Sequence, residues 1–229
     1  IVSKPPHPAT AEKVIAAATA SAKPVTTVLL GRGQPDLTSA AESVLRSIHV
    51  PVPTWPYWSP DDGIHPVAGA LRGLYSGGTL ADEAMIIAGD ILGDIRSNIP
   101  LAPELALPAS ATGHGLPKLG GLGHVIVDLG DDEFTRGRPH PMIDPTVKLD
   151  LLAAQAADPD VTVILLDVVL GYPARSQHDD ERARVAAARE AVPGVRDARI
   201  AVSQEIVAHT VQRGVKLLPN VKNIVAVAS

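Results

Sequence analysis

The 229-residue sequence predicts a three-layer α/β/α protein built on a mainly parallel sheet. Three observations carry this. Short apolar runs rich in Val and Ile alternate with helix-forming stretches of about 12 residues, the pattern of strands joined by crossover helices. Aromatic residues make up only 3% of the chain, so core volume has to come from Val, Leu, Ile and Ala, as in a sheet buried on both faces. The runs are followed by Gly, Asp, His or Pro, where strands of such sheets give way to loops.

Five runs read as strands, at residues 25–30, 125–129, 161–166, 200–207 and 215–218. Helices are expected at 10–22, with Thr10 as N-cap, and at 37–48, 80–92, 145–157 and 179–191. Between residues 50 and 66 both tryptophans and four prolines crowd into a segment that cannot be helix and can hardly be a central strand. It reads as a linker between two units, with Trp55, Tyr57 and Trp58 pinning it by aromatic packing or, alternatively, stacking on a substrate. The stretch 100–123 is a long aperiodic loop rich in Pro and Gly, and loops of that length are usually functional or disordered. Only five residues separate His209 from the run starting at Val215, too few for a parallel crossover, so either these strands pair antiparallel or a loop and helix are missing between them. The N-terminus, Ile-Val-Ser-Lys-Pro-Pro, carries neither an initiator Met nor a signal-peptide pattern and reads as a strand end inside a longer polypeptide.

A chain of 23.8 kDa buries about 70% of its unfolded surface, enough for a real core. The net charge of −5 supplies no basic excess for nucleic acid, and no apolar run approaches the roughly 18 residues needed to span a membrane. The lack of cysteine removes disulfides, thiolate metal sites and thiol nucleophiles together, and accords with a cytoplasmic address.

Three stretches have residues suited to chemistry. Residues 74–84 place Ser76, Gly77, Gly78 and Thr79 directly before a helix, where backbone amides and the helix dipole favour phosphate or carboxylate. Thr79 as a plain N-cap explains the pattern about as well, and Asp82 and Glu83 in the first turn need no function. Residues 127–145 follow a strand ending at Asp128 with Asp131 and Asp132, which could hold Mg²⁺ beside substrate phosphates, and with Arg136 and Arg138, which could clamp an anion. His140, bracketed by Pro139 and Pro141, is presented by a stiff segment, and Asp144 stands at the start of the next helix. An acid and arginine lattice in the loop is the bland alternative. In residues 165–173, Asp167 interrupts an apolar run and so must meet a partner or a cleft, and Gly171 closes the strand at the carboxyl edge. No P-loop, dinucleotide fingerprint, nucleophile elbow or helical histidine pair occurs.

These motifs together resemble the FdrA group of acyl-CoA-synthetase-like proteins, relatives of the succinyl-CoA synthetase subunits. The resemblance rests on Ser3 to Pro6, on Gly73 to Leu80, on Gly130 to Thr135 continuing from Gly137 to Pro145, and on Leu166 to Tyr172. It implies flavodoxin-like domains similar to the CoA-ligase domains of succinyl-CoA synthetase. Residues 1–50 would be the C-terminal part of a first such domain, 51–65 a linker, and 66–229 a second domain; the group's CoA-binding domain has no counterpart here. The group also has a Gly-Thr and Asp-Pro-Gln loop where this sequence passes from His209 to Thr210, so the resemblance implies that the chain is interrupted near His209.

The implied chemistry is that of CoA thioesters and acyl phosphates, with helix N-termini stabilising a phosphoryl group. Ser76, Gly77, Gly78, Thr79, Arg138 and Gly171 would bind the anion, and His140, Asp128 and Asp167 would be catalytic, with His140 a phosphoryl relay. The resemblance also implies a homo-oligomer or partner subunits, since the group lacks the ATP-grasp domain. Two alternatives stay open: a subunit of an oxamate-type carbamoyltransferase using carbamoyl phosphate, and a non-catalytic scaffold.

Overall fold

The computed structural model describes residues 1–56, 68–112 and 115–167. Among them lie β1 (Val2–Ser3), α1 (Pro8–Thr19), β2 (Val28–Leu29), α2 (Leu37–Ser47), β3 (Ala70–Tyr75), α3 (Gly78–Leu92), β4 (Ile95–Arg96), β5 (His124–Asp128), α4 (Asp132–Thr135), α5 (Thr146–Ala156) and β6 (Val161–Leu166). β1 pairs with β2, and a second sheet has the order β4-β5-β3-β6, with every pairing parallel. The α/β architecture with parallel sheets is thus the one read from the sequence. The expected strands at 200–207 and 215–218, the helix at 179–191 and the interruption near His209 lie outside the described residues.

The central strand, β3, lies outside the apolar runs, as do the two-residue strands β1 and β4. Its sequence, Ala-Leu-Arg-Gly-Leu-Tyr, carries a charge and a glycine in the middle. Arg72 is nevertheless fully buried, because its guanidinium donates to Gln155 Oε1 at 2.8 Å, to the Leu119 carbonyl at 3.1 Å and to the carbonyls of Leu71 and Gly123. Asp158 lies 4.0 Å away as counter-charge. A buried arginine persists only when it is paired in this way. Gly73 is required by space, since a Cβ there would strike Ile126 of the neighbouring strand.

Strand alternation sorts the core onto two faces. On one, Ala81, Met85 and Ala88 of α3 pack on Leu71, Ile95 and Ile126. On the other, Leu151 of α5 joins Leu119, Leu74, Val125, Val127, Leu129 and Phe134. The stretch 100–123, expected to be functional or disordered, instead closes this second core. It holds a 3₁₀ turn at Pro103–Leu105, buries Ala102, Ala111 and Leu119, and supplies the Leu119 and Gly123 carbonyls to Arg72.

The N-terminal segment docks on α3. Val28, Leu30 and Ala40 form a small core that takes in Ile86, and the Leu37 amide donates to Glu83 Oε1 at 3.0 Å. Glu83 therefore fastens α2 to α3. Trp55 donates from its indole to Glu42 at 3.0 Å and ties the start of the linker to α2, while Tyr57 and Trp58 lie outside the described residues.

Helix starts differ from expectation in instructive ways. α1 begins at Pro8 with His7 as N-cap, because proline needs no amide partner at the first helical position. Gly77, not Thr79, is the N-cap of α3, and it offers no side-chain cap. α5 starts after Pro145, and Asp144 Oδ1 accepts from the amide and hydroxyl of Thr146 at 3.0 and 2.6 Å.

Candidate functional site

β3, β5 and β6 end together. Tyr75 is the register partner of Asp128, and Leu74 that of Leu166. Beyond the strands, Leu129 donates its amide to the Tyr75 carbonyl at 2.8 Å and Asp167 donates to the Leu74 carbonyl at 3.0 Å. β5 and β6 flank β3 on opposite sides, so strand order reverses across β3, the point at which open parallel sheets take their ligands. The Ser76 to Thr79 turn, Asp128 and Asp167 therefore share one edge, whereas Gly171 lies outside the described residues.

At the head of α3 the first-turn amides have no intrahelical acceptor and sit at the positive end of a 15-residue helix. A Cβ on Gly77 would meet nothing, so space is open there. Gly78 is different. A Cβ on it would collide with the Lys4 ammonium and crowd Asp128 Oδ2, so glycine is needed for these groups to approach.

Ser76 is buried beneath this turn: its amide donates to Asp167 Oδ2 at 3.0 Å and its hydroxyl accepts from Lys148 Nζ at 2.6 Å. The same ammonium donates to the Asp167 carbonyl at 2.7 Å. Lys148 thus links α5 to both loops and puts a buried positive charge behind the α3 turn.

Asp128 is held at its backbone by the Asn98 carboxamide, which donates to the Asp128 carbonyl at 3.0 Å and accepts its amide at 2.9 Å. Its Oδ1 accepts the Gly130 amide at 2.9 Å, and Lys4 Nζ lies 3.5 Å from Oδ2. Burial pushes the Asp128 carboxyl above the ordinary range, against the Gly130 amide and Lys4, which favour the anion. Asp82, one turn along α3 from Gly78, is 2% exposed, and its Oδ2 has no hydrogen-bond partner among the described residues. Burial drives its carboxyl up to about 7, opposed by Lys4 and reinforced by Asp128.

The loop after β5 is built on Asp131, whose carboxylate caps α4 through the Glu133 amide at 3.0 Å. Asp132 is exposed in the first turn of that helix. Among the described residues no group of three or more His, Asp or Glu is placed to hold a metal, so a metal at Asp131 and Asp132 would draw its other ligands from substrate or water. Arg138 is exposed and makes no ion pair among the described residues, so the expected alternative pairing with Asp131 or Asp132 is not formed. His140 accepts the Met142 amide at Nδ1 (3.2 Å), while its Nε2 packs over Gly130, next to the Ser76 carbonyl and Asp128 Oδ1. With Nδ1 engaged as acceptor, the neutral ring carries its proton on Nε2 and meets the site as a donor.

Sequence reasoning passed over Lys148, Asn98 and the burial of Asp82. Periodicity offers a signal for two of them. Lys148 is in phase with Leu151 and Gln155 on the buried face of α5, and Asp82 with Gly78, Ala81 and Met85 on that of α3.

A parallel α/β domain with ionisable side chains gathered where strand order reverses is the flavodoxin-like architecture of CoA-ligase domains. The chain belongs to the CoA-ligase family, which it matches over residues 74–209. It is also similar to the uncharacterized protein YahF of Escherichia coli (strain K12), with 35% identity over 199 residues that cover 79% of this chain and 36% of that protein. The chain therefore spans about a third of the length of this relative. Among the described residues no helix is long and apolar enough to cross a membrane.

Proposed function

We propose that this chain is the CoA-ligase part of an FdrA-type acyl-CoA synthetase and handles a CoA thioester through an acyl phosphate. The uncapped first turn of α3, with open space at Gly77, together with the exposed Arg138 that makes no ion pair among the described residues, carries the reading. In the thioester-forming step the CoA sulfur attacks the acyl carbon, the carbon–sulfur bond forms, and the bond to the bridging oxygen breaks with release of phosphate. The amides of Gly77, Gly78 and Thr79 receive that developing negative charge, Arg138 clamps it from the loop after β5, and Lys148 adds its field from behind Ser76. His140 donates from Nε2 rather than carrying the phosphoryl group. Asp128 and Asp167 position the loops, and ATP-dependent phosphorylation would come from a partner subunit.

Incubation with acetyl phosphate and CoA, and in parallel with carbamoyl phosphate and oxamate, tests the proposal. Thioester formed in the first arm supports it. Turnover only in the second assigns carbamoyl transfer instead, and binding of neither donor would make the chain a scaffold.

A further inference from the structure

Asp82, expected in the first turn of its helix, lies a full turn into α3 and is buried on the same face as Gly78, Ala81 and Met85. Asp82 and Asp128 are 2% and 1% exposed, each has an Oδ2 without a hydrogen-bond partner among the described residues, and Lys4 is the cation that reaches them. One ammonium against two buried carboxyls leaves a negative charge unmatched, which a proton relieves. Asp128 has the Gly130 amide on one oxygen and Lys4 near the other, so the proton falls to Asp82. We propose that Asp82 is a proton-holding residue of this site, taking up a proton when an anion binds at the head of α3; this rests on the anion-binding reading above.

The surrounding charges leave that assignment in place. Arg72 on β3 points to the opposite face onto Gln155, Arg96 on β4 pairs in register with Val125, three residues before Asp128, and Glu83 accepts the Leu37 amide. Tyr75 lies near Asp167 and Glu83, Asp131 acts on Asp128, His140 packs over Gly130, and Lys148 is turned to Ser76 and Asp167. Lys4 and Asp128 remain as the groups that act on Asp82, and burial already drives it up to about 7. A bound anion would add a negative charge about 8 Å away, one helical turn plus a hydrogen bond. At an effective dielectric of about 20 that tightens proton binding roughly thirtyfold.

Calorimetric titration with sulfate, which carries no proton near neutrality, in buffers of different ionisation enthalpy at about pH 7.5 tests the coupling. Sulfate brings two charges, so the expected result is uptake of about three-quarters of a proton per sulfate, lost in Asp82→Asn while sulfate still binds. Sulfate binding with equal heats in every buffer overturns the proposal and leaves the anion site standing. Absence of sulfate binding overturns the anion site and with it the coupling. The proton itself is read without ligand, as an infrared carboxylic-acid band of the wild-type protein that disappears between about pH 6 and pH 9; a band already absent at the lower pH removes Asp82 as its holder, even if the Asn variant does not fold.

Discussion

Replacing Asp82 by Asn should change how stability depends on pH more than it changes stability itself. The folded protein keeps the Asp82 proton up to about pH 7, whereas the unfolded chain releases it near the ordinary aspartate value of 3.8. Between these values the folded state binds more protons, so wild-type stability falls as pH rises through this window and levels off above it. Worked through the two binding polynomials, the Asp82 contribution falls by about 3 kcal/mol from pH 5 to pH 8.5. Asparagine has no proton to lose, and the other titrating groups are common to both proteins. Urea denaturation of both at the two pH values should therefore find the variant gaining about 3 kcal/mol on the wild type at the alkaline end, without a change in m. A wild-type-to-variant difference that is the same at both pH values would refute the reasoning, because Asp82 would then ionise alike in folded and unfolded chains.

Gly78→Ala pushes the flexible end of Lys4 off Asp128 and should cost no more than about 1 kcal/mol, while Gly77→Ala, with open space and an extended backbone, should stay within about 0.5 kcal/mol; paired denaturation curves check both. Arg138→Ala should weaken phosphate or acyl-phosphate binding by about 1.5–3 kcal/mol in calorimetry and leave the melting temperature unchanged, since Arg138 has no ion pair to lose among the described residues. Arg72→Met should lower stability by about 3 kcal/mol or more by orphaning the Leu119 and Gly123 carbonyls, without altering anion affinity in the folded fraction.

Much of the frame was legible because burial and periodicity coincide. β5 is a buried apolar run between His124 and Asp128, β6 is an apolar run broken by Thr162, and α2 and α3 fall within a few residues of their expected limits. β3 was not legible, because Arg72 breaks its run, and what makes that arginine tolerable, Gln155 with two loop carbonyls, is far away in sequence. The same limit applies at the site. Ser76, Asp128 and Asp167 drew notice as acids or hydroxyls at strand ends. The burial of Asp82 was legible in its phase with Gly78, Ala81 and Met85, whereas the approach of Lys4 to Asp128 joins residues far apart in sequence, which no local window contains. At Trp55 the contact found is an indole hydrogen bond to Glu42 and not the aromatic packing expected there.

The central claim is that the head of α3 receives the anion. Titrating isotopically labelled protein with CoA and with acetyl phosphate, while following backbone amide resonances, tests it most directly. The account expects the amides of Gly77, Gly78 and Thr79 to move together and saturate, with the Arg138 guanidinium responding in the same concentration range. Ligand binding that saturates while those three amides stay still would contradict it and move the site away from the β3 to α3 turn.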